Sequence, residues 1–178
     1  MKTSFKVALG GAVAALGLVL MFMTALIPFG TYAFPAFAGI LTVVIVIEIG
    51  YGYAVAVYAA TAILSFLLVP DKEAALMYAI FFGFYPILKG LIERLPNKPA
   101  QYALKLVLFN ACVIAAFFIA VNLLSIPEDS YYLFGLNMPL IFLLLGNVFF
   151  VIYDICVTRL VTVYLLKWRK KLNKNTKL

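Results

Sequence analysis

The sequence predicts an all-α polytopic membrane protein with six transmembrane helices and both termini in the cytoplasm. Three observations carry this reading. Hydrophobic residues fill 66% of the 178 positions and charged residues only 12%, whereas a soluble globule is about a quarter charged. The apolar residues collect into six runs, most of them close to the ~20 residues that cross a bilayer as a helix. The 14 Lys and Arg outnumber the 7 Asp and Glu, and nearly all of the basic residues fall in segments that six crossings place on one side. Histidine is absent, which excludes chemistry dependent on imidazole, and two cysteines without other soft ligands do not build a structural zinc site. No enzyme activity, metal or cofactor is expected.

The first helix is expected at about 7–27, ended by Pro28 and a turn through Gly30. Its run is too long for a signal-peptide core, and its small residues lie at the start rather than at a cleavage end, so it is read as a retained span. The second and third helices are expected at about 34–49 and 51–69, a hairpin separated by Gly50 and Gly52, which permit a tight turn. Pro70 followed by Asp71 and Glu73 suits the start of a fourth helix at about 74–95. Pro86 should kink that helix, and the segment Pro96 to Pro99 should stop it. A fifth helix is expected at about 102–124. A linker from Ser125 to Asn137 leads to a sixth at about 139–166, and a basic tail follows at 167–178. The whole chain reads as one transmembrane domain.

Orientation follows from the basic residues. Lys2 and Lys6 precede the first span, Lys89, Arg94, Lys98 and Lys105 surround the break between the fourth and fifth, and Lys167, Arg169, Lys170, Lys171, Lys174 and Lys177 follow the sixth. The opposite side holds Lys72 beside two acids, plus Glu128 and Asp129. The positive-inside rule then puts both termini in the cytoplasm and predicts a multi-pass cell-membrane protein, most simply of a bacterial plasma membrane.

Several polar and small residues are candidates for function. Ala8 and Ala12, like Gly11 and Ala15, lie four apart in the first helix, so small side chains share a face that another helix backbone can approach closely. That neighbour is either another helix of this chain or a partner subunit. Tyr78, Phe82, Tyr85 and Lys89 form one stripe on the fourth helix, and Tyr51, Tyr58 and Ser65 another on the third. Such stripes either line a cavity that stacks a small organic ring or pack between helices. Asn122, Asn137 and Asn147 map to the outer half of the last two helices, with Thr31 and Tyr32 in the first outer loop. Their amides and hydroxyls suit recognition of a polar solute, or hydrogen bonding between helices. Asp154 lies deep in the sixth helix, where an unpaired carboxylate costs about 2.5 to 3.5 kcal/mol. It is expected to meet Lys89, Lys105 or an arginine of another helix, a proton-coupled role being the alternative.

The alanine-rich first helix after a short basic N-terminus, six spans in a short chain, and the Pro-bounded loop after the first helix together resemble the S components of energy-coupling factor transporters. These are small substrate-capturing membrane subunits. The resemblance implies that Ala8 and Ala12, matching the family's AxxxA motif, contact a transmembrane coupling subunit. It implies also that the loop at 27–35, with Thr31 and Tyr32, helps close the substrate site. The chain has no GxxxxGK[ST] loop, so active uptake would depend on ATPase partner subunits. The expected function is capture of a small vitamin-like solute or other micronutrient, with no nucleic-acid partner. The alternative is a non-transporting scaffold, since the small membrane subunits of bacterial cell-shape assemblies are similar in length and span number.

Overall fold

The computed structural model describes residues 3–27, 30–122, 132–133 and 136–168. Lys2, Pro28, most of the 125–137 linker with Glu128 and Asp129, and the tail from Arg169 onward lie outside the described residues. The described chain is an all-helical bundle apart from one minimal hairpin: α1 (Thr3–Leu26), α2 (Ala33–Glu48), α3 (Tyr51–Leu68), α4 (Lys72–Met77), a π-helical turn (Tyr78–Phe82), α5 (Tyr85–Ile92), α6 (Lys98–Asn122), β1 (Tyr132–Leu133), β2 (Leu136–Asn137), α7 (Met138–Val163) and a final π-helical turn (Tyr164–Trp168). The two strands pair antiparallel, Tyr132 opposite Asn137 and Leu133 opposite Leu136.

Five helices are long and apolar enough to cross a membrane, α4, its π turn and α5 counting as one of them. Their outward faces are apolar, with Val107 66%, Phe149 68% and Leu67 70% exposed, as expected of a protein whose solvent is lipid. The sixth, α2, is apolar but has 16 residues, about 24 Å at 1.5 Å per residue against a ~30 Å hydrocarbon core. Its position explains why so short a helix suffices. It touches α1, α3, α4, the π turn, α5 and α7, and its middle, from Ala38 to Ile45, holds most of its buried residues, so its length is fitted to these neighbours as well as to the bilayer.

Local chemistry sets the helix boundaries. Gly50 takes φ +116° at the head of α3, a conformation that favours glycine, whereas Gly52 lies within the helix. Asp71 caps α4 by accepting the Ala74 N–H at 2.9 Å. Lys72 donates to the Phe66 and Val69 carbonyls at 2.7 and 2.9 Å, filling acceptors at the end of α3. The fourth helix ends at Ile92 and not near 95: the Arg94 and Leu95 N–H groups bond three residues back, to the Leu91 and Ile92 carbonyls at 3.2 and 3.1 Å, and Pro96, which has no N–H, cannot extend the ladder. Pro99 does not stop that helix. It sits in the first turn of α6, which starts at Lys98, where the missing N–H is no loss.

The break in the fourth helix also differs from a simple proline kink. Pro86 occupies the first turn of α5, and the disruption lies before it. The Gly83 N–H bonds to the Tyr78 carbonyl at 2.8 Å, five residues back, so the Ala79 carbonyl loses its usual partner. The Tyr58 hydroxyl donates to that carbonyl at 2.6 Å, satisfying it across helices. Gly39 of α2 lies against this turn so closely that an added Cβ would collide with the Phe82 carbonyl.

Candidate functional site

The most polar part of the interior gathers where α5, α6 and the second half of α7 meet. α5 presents Tyr85 and Lys89 one turn apart, the turn after it presents Glu93, α6 presents Lys105 on its second turn, and α7 presents Asp154. Lys89 and Lys105 are each 3% exposed and Asp154 5%. Asp154 accepts from Lys89, from Lys105 at 3.0 Å and from the Tyr85 hydroxyl at 2.6 Å. Glu93 accepts from the same two lysines at 2.6 and 2.8 Å. Two cations thus meet two carboxylates, the condition under which buried charge is tolerated at all. Gln101 braces the turn, its amide donating to the Leu95 carbonyl at 2.6 Å. Burial acts to push the Glu93 carboxyl up, but the two ammonium groups outweigh it and hold the carboxyl below its ordinary value.

Aromatic rings close the network off towards the bundle centre. Phe81, Tyr85, Phe109 and Phe150 form one buried cluster with Tyr153 against it, Phe109 and Phe150 stacking at 4.7 Å with 9° between planes. On its other side the network floors a half-open cleft of about 470 Å³ between α6 and α7, lined also by Lys98, Gln101, Tyr102, Thr158, Arg159 and Thr162. Charge is therefore concentrated between a dry aromatic wall and an accessible mouth.

The residues singled out from sequence fall in several places. Ala8 and Ala12 are exposed on α1, together with Gly11 and Ala15. The face of α1 that packs internally is another one, made by Gly10, Gly17, Met21 and Thr24, with Gly10 and Gly17 approaching Val57 and Thr61 of α3. Thr31 donates to Asp71 at 3.0 Å and Tyr32 to Glu73 at 2.5 Å, fastening the first loop to the head of α4. Tyr58 and Tyr78 are neighbours, ring centroids 6.1 Å apart, Tyr78 being 1% exposed and Tyr58 committed to the π turn. Asn147 exchanges amide hydrogen bonds with Asn110 of α6 at 2.9 and 3.0 Å. Asn122 is exposed and donates to the Phe118 carbonyl of its own helix at 2.8 Å. Asn137 ends β2, and its side chain lies outside the described residues. Thr31 and Tyr32 thus lie at the first loop, Tyr58 pairs with Tyr78, Asn147 pairs with Asn110 and Asp154 belongs to the ion network, while Ala8, Ala12 and Asn122 join none of these groups.

Sequence reasoning named Lys89, Lys105 and Asp154 for pairing and Lys98 for orientation alone, but passed over Glu93, Gln101 and Asn110. For Glu93 a signal existed: it lies four residues after Lys89, the spacing at which opposite charges meet on a helix. Asn110 stands alone in the middle of a long apolar run, and an isolated amide there demands a partner on a neighbouring helix.

A scan against protein-family models gave no match, and neither the curated proteins nor the solved structures gave a significant one.

Proposed function

We propose that this chain is the substrate-capture subunit of an ATP-driven importer for a small vitamin-like solute or other micronutrient. It crosses the cell membrane six times with both termini in the cytoplasm, and ATPase and transmembrane coupling subunits supply the energy. Two poles of the bundle support the topology. At one pole Lys6 lies 5.5 Å from the Tyr53 ring, Arg94 5.1 Å from the Tyr51 ring, and the Tyr164 hydroxyl 3.1 Å from Glu48. At the other, the first loop meets the acidic turn of Asp71 and Glu73. The basic pole is the cytoplasmic one by the positive-inside rule.

The observation that carries the reading is the exposure of Ala8 and Ala12. Small residues on α1 that face away from the bundle leave room for the close approach of a partner helix, which in lipid is favoured by packing contacts. The substitution Ala8→Leu with Ala12→Leu tests it. The coupling subunit and ATPases should no longer co-purify from native membranes, while the thermal unfolding of the isolated chain is unchanged because the face is not used internally. Unaltered co-purification counts against the proposal.

A second reading, a non-transporting scaffold subunit of a cell-shape or envelope assembly, is favoured by one observation. The hydroxyls of Thr31, Tyr32 and Tyr58 and the amide of Asn147 are engaged within the chain rather than turned toward a common space. Mass spectrometry for a small organic solute retained by the purified protein separates the two readings, since only the first requires one.

A further inference from the structure

The cleft between α6 and α7 carries more positive charge than its own carboxylates balance. Lys89 and Lys105 are matched by Asp154 and Glu93. The walls add Lys98, from the first turn of α6, and Arg159 of α7, both exposed and neither in an ion pair among the described residues. Two cations in surplus thus flank one mouth. One is a guanidinium, whose planar fork of donors matches phosphate oxygens two at a time. The hydroxyls of Thr158 and Thr162 donate back to their own helix, at 2.9 Å each, so the donors left for an anion in the cleft are the two cations.

The surroundings indicate how the anion arrives. Ile155 of α7 lines the cleft itself and is 51% exposed, Ile152 one turn before it is 52% exposed, and Leu104, next in sequence to Lys105 on α6, is 46% exposed. A phosphate entering from water needs no such apolar strip, whereas one attached to acyl chains does. From this we infer that the cleft binds the phosphate of an anionic glycerophospholipid, Lys98 and Arg159 holding the headgroup while the acyl chains lie along the outer faces of α6 and α7. Basic recesses between helices at a cytoplasmic membrane face are sites of this kind. The site is independent of whether the chain captures a solute.

The test uses the full chain in a neutral detergent, titrated with phosphatidylglycerol or phosphatidylcholine and read by native mass spectrometry. The chain should prefer phosphatidylglycerol, and Lys98→Gln with Arg159→Gln should weaken that binding by about 30-fold, with the thermal midpoint in phosphatidylcholine unchanged because neither cation is part of the buried network. Arg159→Glu alone should also abolish the preference. Inorganic phosphate at millimolar concentration should leave the bound lipid in place. Equal binding of the two lipids overturns the inference. Survival of the preference in the double variant overturns it too, by moving the lipid to the basic tail at 169–178, and displacement by inorganic phosphate assigns the cleft to a soluble anion instead.

Discussion

Replacing Asp154 with Asn removes one charge from a network whose neutrality depends on it. Counting side-chain atoms alone, Asp154 is 7% exposed and the two lysines that bond it 4%. After the substitution both ammonium groups share Glu93, which is 36% exposed and partly screened by water. Deleting one partner of a buried ion pair costs about 3 to 5 kcal/mol, because the remaining charge stays desolvated. The asparagine oxygen still accepts one hydrogen bond, which places Asp154→Asn near 3 kcal/mol and lowers the thermal midpoint by on the order of 10 °C in a chain of this size. Thermal unfolding in detergent, followed by tyrosine fluorescence or by loss of the monodisperse peak, measures this. Adding Lys105→Met to Asp154→Asn leaves Lys89 against Glu93, neutral again, so the double variant should be more stable than Asp154→Asn alone despite one interaction fewer. A loss below about 1 kcal/mol for the single variant, or a double variant with simply additive losses, would refute the claim that charge matching holds α5, α6 and α7 together.

Two further outcomes follow from the packing and the electrostatics. Gly39→Ala places a methyl group against the Phe82 carbonyl of the π turn, and since backbone cannot swing aside as a side chain does, it should cost about 1 to 3 kcal/mol, whereas Gly11→Ala, where an added Cβ meets nothing within 4 Å, should leave the same thermal midpoint unchanged. Glu93 is held below its ordinary value of 4.5 in the folded state, so its stabilisation is complete above that pH and is lost as the pH falls through the depressed value; midpoints measured downward from pH 6 should drop below about 4.5 in the parent chain and drop less in Glu93→Gln.

Much of this architecture follows from the residues in order, and the exceptions share one physical cause. Apolar runs located each long helix because the bilayer imposes a length and a composition on each span separately. The 16 residues of α2 fall short of that length because a helix surrounded by others is fitted to its neighbours. Pro86 signals a disturbance in the fourth helix. Its form as a π turn depends on the Tyr58 hydroxyl and the space left by Gly39, which belong to two other helices. The ion network follows the same pattern. A lone buried carboxylate must be paired, which restricts the partners of Asp154 to a few basic residues, but only the adjacency of three helices selects Lys89 and Lys105, 65 and 49 residues away.

Polar and small residues show why site prediction is harder than span prediction in such a chain. In hydrocarbon an amide must be satisfied whether its partner is a ligand or another helix, so Asn147 reads the same way from sequence in either case, and only the facing Asn110 decides between them. The first helix presents the converse problem. At 100° per residue, Ala8 and Ala12 each lie about 160° from Gly10, while Gly17 returns to within about 20° of it. Helical phase alone therefore divides the small residues of α1 into two opposed faces, both able to accept a close neighbour. It does not say which face the protein uses on itself. The approach of Gly10 and Gly17 to α3 answers that, and it leaves Ala8 and Ala12 as the face on which a partner subunit is proposed to dock.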